Sequence, residues 1–276
     1  MTRIAVLQMT SGIDPEANLD TIVRALADAK QGGAEMLFTP EMSLLLDRDR
    51  ERAAANIESD AENTRLNQLC AAVRAQGVWL ALGSMALRRA DGRLANRSFV
   101  ISPAGQVVAR YDKIHMFDVA LSTGESWKES AAYAPGEDVA TVAGTPVGKL
   151  GLAVCYDIRF PALFEELGRR SCDVIAIPAA FTVPTGEAHW HLLQRARAVE
   201  ASAYVVAAAQ VGEHADGRRT YGHSLVVDPW GEVLLDMGGE APGLGFAEID
   251  PARIAQVRAQ LPSLANRRPM ATSAGS

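Results

Sequence analysis

An α/β fold of two sheets covered by helices is predicted by three features of the sequence. Short apolar runs suited to strands alternate with segments of helical periodicity. The stretch IAVLQ–helix–EMLFTPE, from Ile4 to Glu41, is echoed by GLAVCYD–helix–DVIAIPAA, from Gly151 to Ala180, each reading strand, helix, strand, proline. A hairpin-like pair in the middle adds antiparallel strands to the parallel pairing that β-α-β units require. Two such halves make a pseudo-symmetric sandwich.

The strand Ile4–Leu7 opens the chain. Asp14-Pro15 then starts a helix, because Asp caps free N–H groups and Pro fits the first turn. Leu19, Ile22, Val23 and Leu26 continue it at helical spacing, and Gly32-Gly33 closes it. Met36–Thr39 is a strand ending at Pro40-Glu41. A second helix carries Leu66, Leu69, Cys70 and Val73 on one face, and Trp79–Met85 is the next strand. Phe99–Ile101 and Val107–Tyr111, joined through Pro103–Gly105, form the hairpin. Phe117–Gly136 lacks periodicity and is expected to be a functional loop. Lys149–Val154 is a strand running into Cys155, and Phe160, Leu163, Phe164 and Leu167 place a helix behind it. Val174–Ile177 is a strand ending at Pro178, followed by a helix from about His189 to Ser202. Strands at Tyr204–Ala209, Ser224–Val227, Val233–Leu235 and Gly245–Ile249 complete the set. No Gly-, Pro- or Ser-rich linker divides the chain, so residues 1–264 are expected to form one domain, with 265–276 a loose tail or arm.

Composition narrows the function. The 276 residues carry a net charge of −6, are 48% hydrophobic and 22% charged, and hold three cysteines. That is globular rather than disordered. The acidic balance leaves no footprint for nucleic acid or an anionic membrane. Three cysteines are too few and too odd for a disulfide framework, which points to a reducing, cytoplasmic setting. The opening MTRIAVLQMT reads as a strand, without a leader, and no apolar run reaches the roughly 18 residues of a bilayer span. Phosphate-loop, dinucleotide, zinc-helix and serine-elbow motifs are absent. His189 and His191, two apart on a helix, point in different directions, and no metal or cofactor is expected.

Of the cysteines, Cys70 falls on an apolar helix stripe and Cys172 in a helix–strand turn, and both read as structural. Cys155 sits where a strand turns into a helix, so its thiol is expected to be exposed, with backbone N–H groups able to hold a thiolate or an oxyanion. A thiol nucleophile needs a base and a positive charge. Glu41, at the strand end in the first half, and Lys113, just after the hairpin, supply both if the halves converge. Singly, each of the three is as easily a turn acid, a solvated lysine or a buried strand-end cysteine.

As a set, FTPEMS around Glu41, YDKIHMFD around Lys113 and GLAVCYDIRFP around Cys155 resemble the nitrilase superfamily of carbon–nitrogen hydrolases. The likeness continues through PAAFTVPTGEAHWHLLQRARAVE, YVVAAAQ and YGHSLVVDPWGEV, and covers Ile4 to about Pro269. The resemblance implies a four-layer α-β-β-α sandwich, pairs of sandwiches joined through their helical faces into a homodimer or higher oligomer, and a Glu–Lys–Cys triad. On this sequence Cys155 matches the nucleophile, Glu41 the general base and Lys113 the triad lysine. A second family glutamate falls on Glu129, in WKESAAYAPGED, in preference to Glu125.

The implied reaction has Glu41 take the Cys155 proton as the thiolate attacks an amide carbonyl. Lys113 and the Tyr156 N–H form the oxyanion hole. Glu41 then protonates departing ammonia, and water hydrolyses the thioester. Glu41 is expected to have a raised pKa, Lys113 to stay charged between two glutamates, and Glu129 to orient the amide or the water. Tyr156-Asp157 after the cysteine favours an amidase over a true nitrilase. The motifs look most like the Nit branch, whose members are deaminated-glutathione amidases and ω-amidases. An N-carbamoyl amino acid hydrolase and a catalytically silent binding module are the alternatives. Arg159 is placed to hold a substrate carboxylate, or else to make a structural ion pair.

Overall fold

The computed structural model describes residues 1–120, 124 and 126–268. The first half runs β1 (Thr2–Gln8), α1 (Pro15–Gln31), β2 (Met36–Phe38), α2 (Arg50–Ala54), α3 (Thr64–Gln76), β3 (Trp79–Arg88), β4 (Leu94–Ile101) and β5 (Val107–Asp112). A small antiparallel ribbon of β6 (Asp118–Ala120) and β7 (Ser126–Lys128) follows. The second half runs β8 (Thr141–Thr145), β9 (Gly148–Leu152), α4 (Pro161–Arg169), β10 (Val174–Ala176), α5 (Val183–Ala201) and β11 (Tyr204–Ala207). It continues with β12 (Val211–Glu213), β13 (Arg219–Tyr221), β14 (Leu225–Val227) and β15 (Val233–Asp236). Finally β16 (Gly243–Ile249) returns to the first sheet, and α6 (Pro251–Gln260) closes the described chain.

Two six-stranded sheets result, ordered β16-β1-β2-β3-β4-β5 and β15-β14-β11-β10-β9-β8. Read from β16 and from β8, both follow one pattern: an antiparallel edge pair, two parallel pairs, then two antiparallel pairs. The sequence echo is therefore a structural repeat in which β1 corresponds to β9 and β2 to β10. In that correspondence Glu41, after β2, is the counterpart of Ala179, after β10. Cys155 follows β9 and is not its equivalent.

Strand alternation builds the layers. Ile4 and Val6 of β1 face the second sheet, where they join Leu150, Leu152 and Val174. Ala5 and Leu7 face the other way, onto Leu19, Ile22 and Leu26 of α1 and Leu69 and Val73 of α3. Each fully buried aliphatic side chain contributes about 1.5–3 kcal/mol. Asp14 caps α1 by accepting from the Glu16 and Ala17 N–H groups at 3.0 and 3.4 Å. The sheets are joined at their ends, where the Val211 N–H donates to Met9 O at 2.7 Å. There the buried Gln210 side chain donates to Ser11 Oγ and Glu41 O, at 2.7 and 3.0 Å.

Several expectations shift. The helix expected from His189 begins at Val183, because Pro184 fits its first turn instead of breaking it. The Phe117–Gly136 loop holds the β6–β7 ribbon and a 3-10 turn at Glu129–Ala131. Cys172 is fully buried, while Cys70 is half-buried at the margin of the α1–α3 core. Of the expected tail, residues 265–268 are described, with Arg267 3.4 Å from Glu165; 269–276 and Glu125 lie outside the described residues.

One backbone contact sets the position of Glu41. The β3–β4 register shifts between Leu82 and Met85, and the Glu41 turn is sewn onto that irregularity. The Gly83 N–H donates to Thr39 Oγ1 at 3.0 Å and the Met42 N–H to Ser84 Oγ at 3.0 Å. A Cβ on Gly83 would collide with the Thr39 and Pro40 carbonyls. Gly83→Ala is therefore expected to destabilise the protein by about 1–3 kcal/mol, read as a lower urea midpoint, and to lower activity in the fraction still folded.

Candidate active site

Three strand ends, one strand and one turn deliver the polar cluster. Glu41 follows β2, Asn96 lies on β4, Lys113 follows β5, Cys155 follows β9, and Glu129 opens the 3-10 turn after β7. Lys113 is 2% exposed and Glu41 5%, so both charges are out of water. The Lys113 ammonium donates to Glu41 Oε1 at 3.0 Å and to Glu129 Oε1 and Oε2 at 3.1 and 2.8 Å. Asn96 Nδ2 reaches both acids, at 2.9 Å to Glu41 and 3.2 Å to Glu129. The Ala180 N–H donates to Glu41 Oε2 at 3.0 Å and the Phe117 N–H to Glu129 Oε2 at 2.7 Å. The sequence thus brings Glu41, Lys113, Glu129 and Cys155 together. It gave no sign of Asn96, a polar residue in an apolar strand, or of the two backbone donors.

Cys155 has φ +48°, in the left-handed region that non-glycine residues seldom occupy, and its N–H donates to Pro178 O at 2.9 Å. Contrary to expectation the thiol is buried rather than exposed, at 7%, on the wall of a cavity. Among the described residues the adjacent Tyr156 N–H finds no acceptor.

Electrostatics fix the resting protonation. Burial pushes the Glu41 carboxyl up, but the Lys113 ammonium and hydrogen bonds from Cys155, Lys113 and Asn96 outweigh it, so the group lies below the usual carboxylate range. This corrects the expectation of a raised pKa: the ammonium beside it dominates. Burial would lower Lys113, yet Glu129 and Glu41 hold it well above the ordinary lysine value, as expected. Burial and then the Glu41 anion push the Cys155 thiol well above the usual cysteine range. The resting site is carboxylate, ammonium and neutral thiol, able to pass a proton from sulfur to Glu41 when a carbonyl arrives.

A second carboxylate locks the strand ends together. Asp157 is fully buried, two residues past Cys155. Its Oδ2 accepts from the Tyr111 hydroxyl at 2.7 Å and the Val154 N–H at 2.9 Å, and its Oδ1 from the His115 N–H at 2.9 Å, with His115 Nδ1 at 2.7 Å. Tyr111 and His115 flank Lys113, so Asp157 pins the lysine's backbone to the Cys155 turn. The His115 ring stacks on Phe160 at 3.6 Å.

The cavity, about 780 Å³, is bounded by Glu41, Lys113, Glu129 and Cys155 at one end. Among the described residues Arg48, Arg50, Lys128, Arg159, Arg218 and Arg219 also line it, against Asp47 as the remaining acid. The described lining is thus richer in cations than the chain's net charge of −6 would suggest. The Arg159 guanidinium lies 5.3 Å over Phe181 and 6.0 Å from the Tyr156 ring centre, with Nη1 3.3 Å from His189 Nδ1. Among the described residues no carboxylate pairs with it.

Comparison with known proteins agrees with this architecture. The carbon-nitrogen hydrolase family profile matches residues 3–259. A deaminated glutathione amidase of Synechocystis sp. is 39% identical, over 95% of this chain and 97% of its own. The NitFhit protein of C. elegans superposes with a TM-score of 0.88 at 35% identity, over 97% of this chain and 65% of that longer one. A mutant amidase from Nesterenkonia sp. AN1, with acrylamide added to its active-site cysteine, superposes at 0.79 with 27% identity, over 95% of this chain and 98% of its own. This chain belongs to the carbon-nitrogen hydrolase family.

Two outcomes follow. Glu41→Gln removes the anion that raises the Cys155 thiol while Lys113 remains, so the pH midpoint of iodoacetamide alkylation at Cys155 moves down; a midpoint that stays or rises refutes the coupling. Asp157→Asn sets an amide N–H against existing donors and loosens Lys113 from Cys155. It is expected to cut kcat roughly 100-fold with little change in KM, as a small misplacement of reacting groups does.

Proposed function

We propose that this protein is an amidase acting through a Cys155 thioester on an anionic 2-oxo acid amide, with deaminated glutathione the preferred substrate. The observation that carries the reading is a buried carboxylate–ammonium–thiol cluster at one end of a large cavity otherwise dominated by cations. Glu41 accepts the Cys155 proton as sulfur bonds to the carbonyl carbon. Lys113 and the Tyr156 N–H take the oxyanion. Collapse breaks the C–N bond while Glu41 returns its proton to the leaving nitrogen. Water, activated by the same carboxylate, then releases the acid and restores the thiol. Glu129 holds Lys113 charged and offers its other lone pairs to the amide or the water.

Substrate size and charge favour deaminated glutathione over small ω-amides. It carries a carboxylate at each end, and its departing amine is cysteinylglycine, whereas an ω-amidase substrate releases ammonia. Arg159 serves the carboxylate of the 2-oxo acid half, and the outer arginines serve that of the leaving cysteinylglycine. The relatives named deaminated glutathione amidase support the same choice.

The protein is further read as a cytoplasmic enzyme of one domain, residues 1–264. Among the described residues no helix is long and apolar enough to cross a membrane. Exposed Leu192 and Val199 of α5, with Trp230 beside them, suit a homo-oligomer joined through its helical face.

The test is a parallel assay of deaminated glutathione, 2-oxoglutaramate and N-carbamoyl amino acids, following the acid, the amine and ammonia. The expected result is the highest kcat/KM on deaminated glutathione; preference for 2-oxoglutaramate reassigns the protein to the ω-amidases, and no turnover of any substrate supports a silent binding module. Arg159→Lys is expected to raise KM about tenfold, the effect of roughly 1.4 kcal/mol, for 2-oxo acid amides and to leave neutral amides unchanged. Equal effects on both remove Arg159 from carboxylate binding.

A further inference from the structure

Away from the cavity floor, three residues far apart in sequence meet on the surface. His191 lies on α5, His223 between β13 and β14, and Asp236 at the end of β15. His191 Nε2 is 3.0 Å from Asp236 Oδ2, and His223 Nδ1 is 2.9 Å from Asp236 Oδ1. One donor atom from each of the three lies within 4.8 Å of the others. The expectation that the histidines do not cluster rested on His189 and His191, which do not share a site. His191 finds its partner 32 residues downstream, where sequence spacing carries no signal.

We propose that His191, His223 and Asp236 form a binding site for one divalent transition-metal ion of the zinc type. Two imidazoles and a carboxylate are a donor set that such ions take, with water completing the shell. Donors at 3–5 Å separation leave room for an ion about 2 Å from each after small rotations of half-exposed rings.

The site is prepared from behind. His223 has φ +54°, a conformation held by the Trp190 indole N–H, which donates to His223 O at 2.7 Å. Its ring stacks on Tyr221 with centroids 4.5 Å apart, and Asp236 Oδ1 accepts the Gly238 N–H at 2.9 Å. These contacts orient the ligands as outer partners of a metal site do. Among the described residues Asp236 pairs with no lysine or arginine, only with the two imidazoles. The Glu187 carboxylate, one helical turn before His191, adds negative potential at Tyr221. A dication would supply positive charge that no lysine or arginine among the described residues brings to Asp236, and would tie α5 to the β13–β14 and β15–β16 connections.

The test keeps the catalytic thiol out of the measurement. Metal-stripped full-length Cys155→Ala protein is titrated with Zn²⁺ by calorimetry and with Cu²⁺ by electron paramagnetic resonance. The expected results are one equivalent bound, nitrogen hyperfine structure from two imidazoles, and a thermal midpoint that rises with Zn²⁺. His191→Gln and His223→Gln, each made separately in that background, are expected to lose one nitrogen coupling and weaken binding at least tenfold. Asp236→Asn is expected to weaken it with both couplings kept. Absence of stoichiometric binding, or binding unchanged in both histidine variants, overturns the proposal. Because catalysis is not read, failure here leaves the amidase assignment standing, and failure of that assignment leaves this site standing.

Discussion

A single buried positive charge organises the catalytic end of the molecule. The Lys113 ammonium sits between two glutamates with almost no exposure, and removing either partner of such a pair typically costs about 3–5 kcal/mol. The arrangement settles three protonation states at once. It keeps Glu41 ionised despite burial, keeps itself charged, and in the proposed reaction accepts the oxyanion. The thiol stays neutral at rest because burial, and then the Glu41 anion, outweigh the pull of the cation. In the proposed reaction the thiol therefore becomes reactive only when a substrate carbonyl takes up the charge.

Holding that cluster in place is the work of the two-sheet sandwich. Glu41 and Ala180 occupy matching ends of β2 and β10, and the Ala180 N–H bonds Glu41 across the pseudo-symmetry. The Gly83–Ser84 irregularity positions the Glu41 turn from one side. Asp157 fastens the Lys113 segment to the Cys155 turn from the other. The left-handed backbone at Met42 and Cys155 puts local strain on both sides of the cluster, where surrounding hydrogen bonds determine it.

Much of this was legible in the sequence, for physical reasons. Strands with two buried faces read as apolar runs, and the repeat of strand, helix, strand and proline forecast two equivalent sheets. The chemistry was visible as a set of motifs and not from any residue alone. What stayed hidden depends on tertiary contact: the donors from Asn96, Ala180 and Phe117, the Asp157 clamp, and the partnership of His191 with His223 and Asp236. The first turns of α5, from Val183, were missed because VPTGEAH carries little apolar periodicity. The sign of the Glu41 shift was missed because burial and a neighbouring ammonium oppose each other, and only the 3.0 Å separation decides between them.

The most direct measurement is rapid-quench mass spectrometry of the protein during turnover of a 2-oxo acid amide, with the peptides that hold Cys70, Cys155 and Cys172 compared. Burial raises the thiols of Cys70 and Cys172, the latter to about 12, and neither lines the cavity. The account predicts an acyl mass increment on the Cys155 peptide alone, and no turnover once Cys155 is replaced by alanine. Turnover that persists in the Cys155→Ala protein, with no acyl adduct on any cysteine, would contradict it.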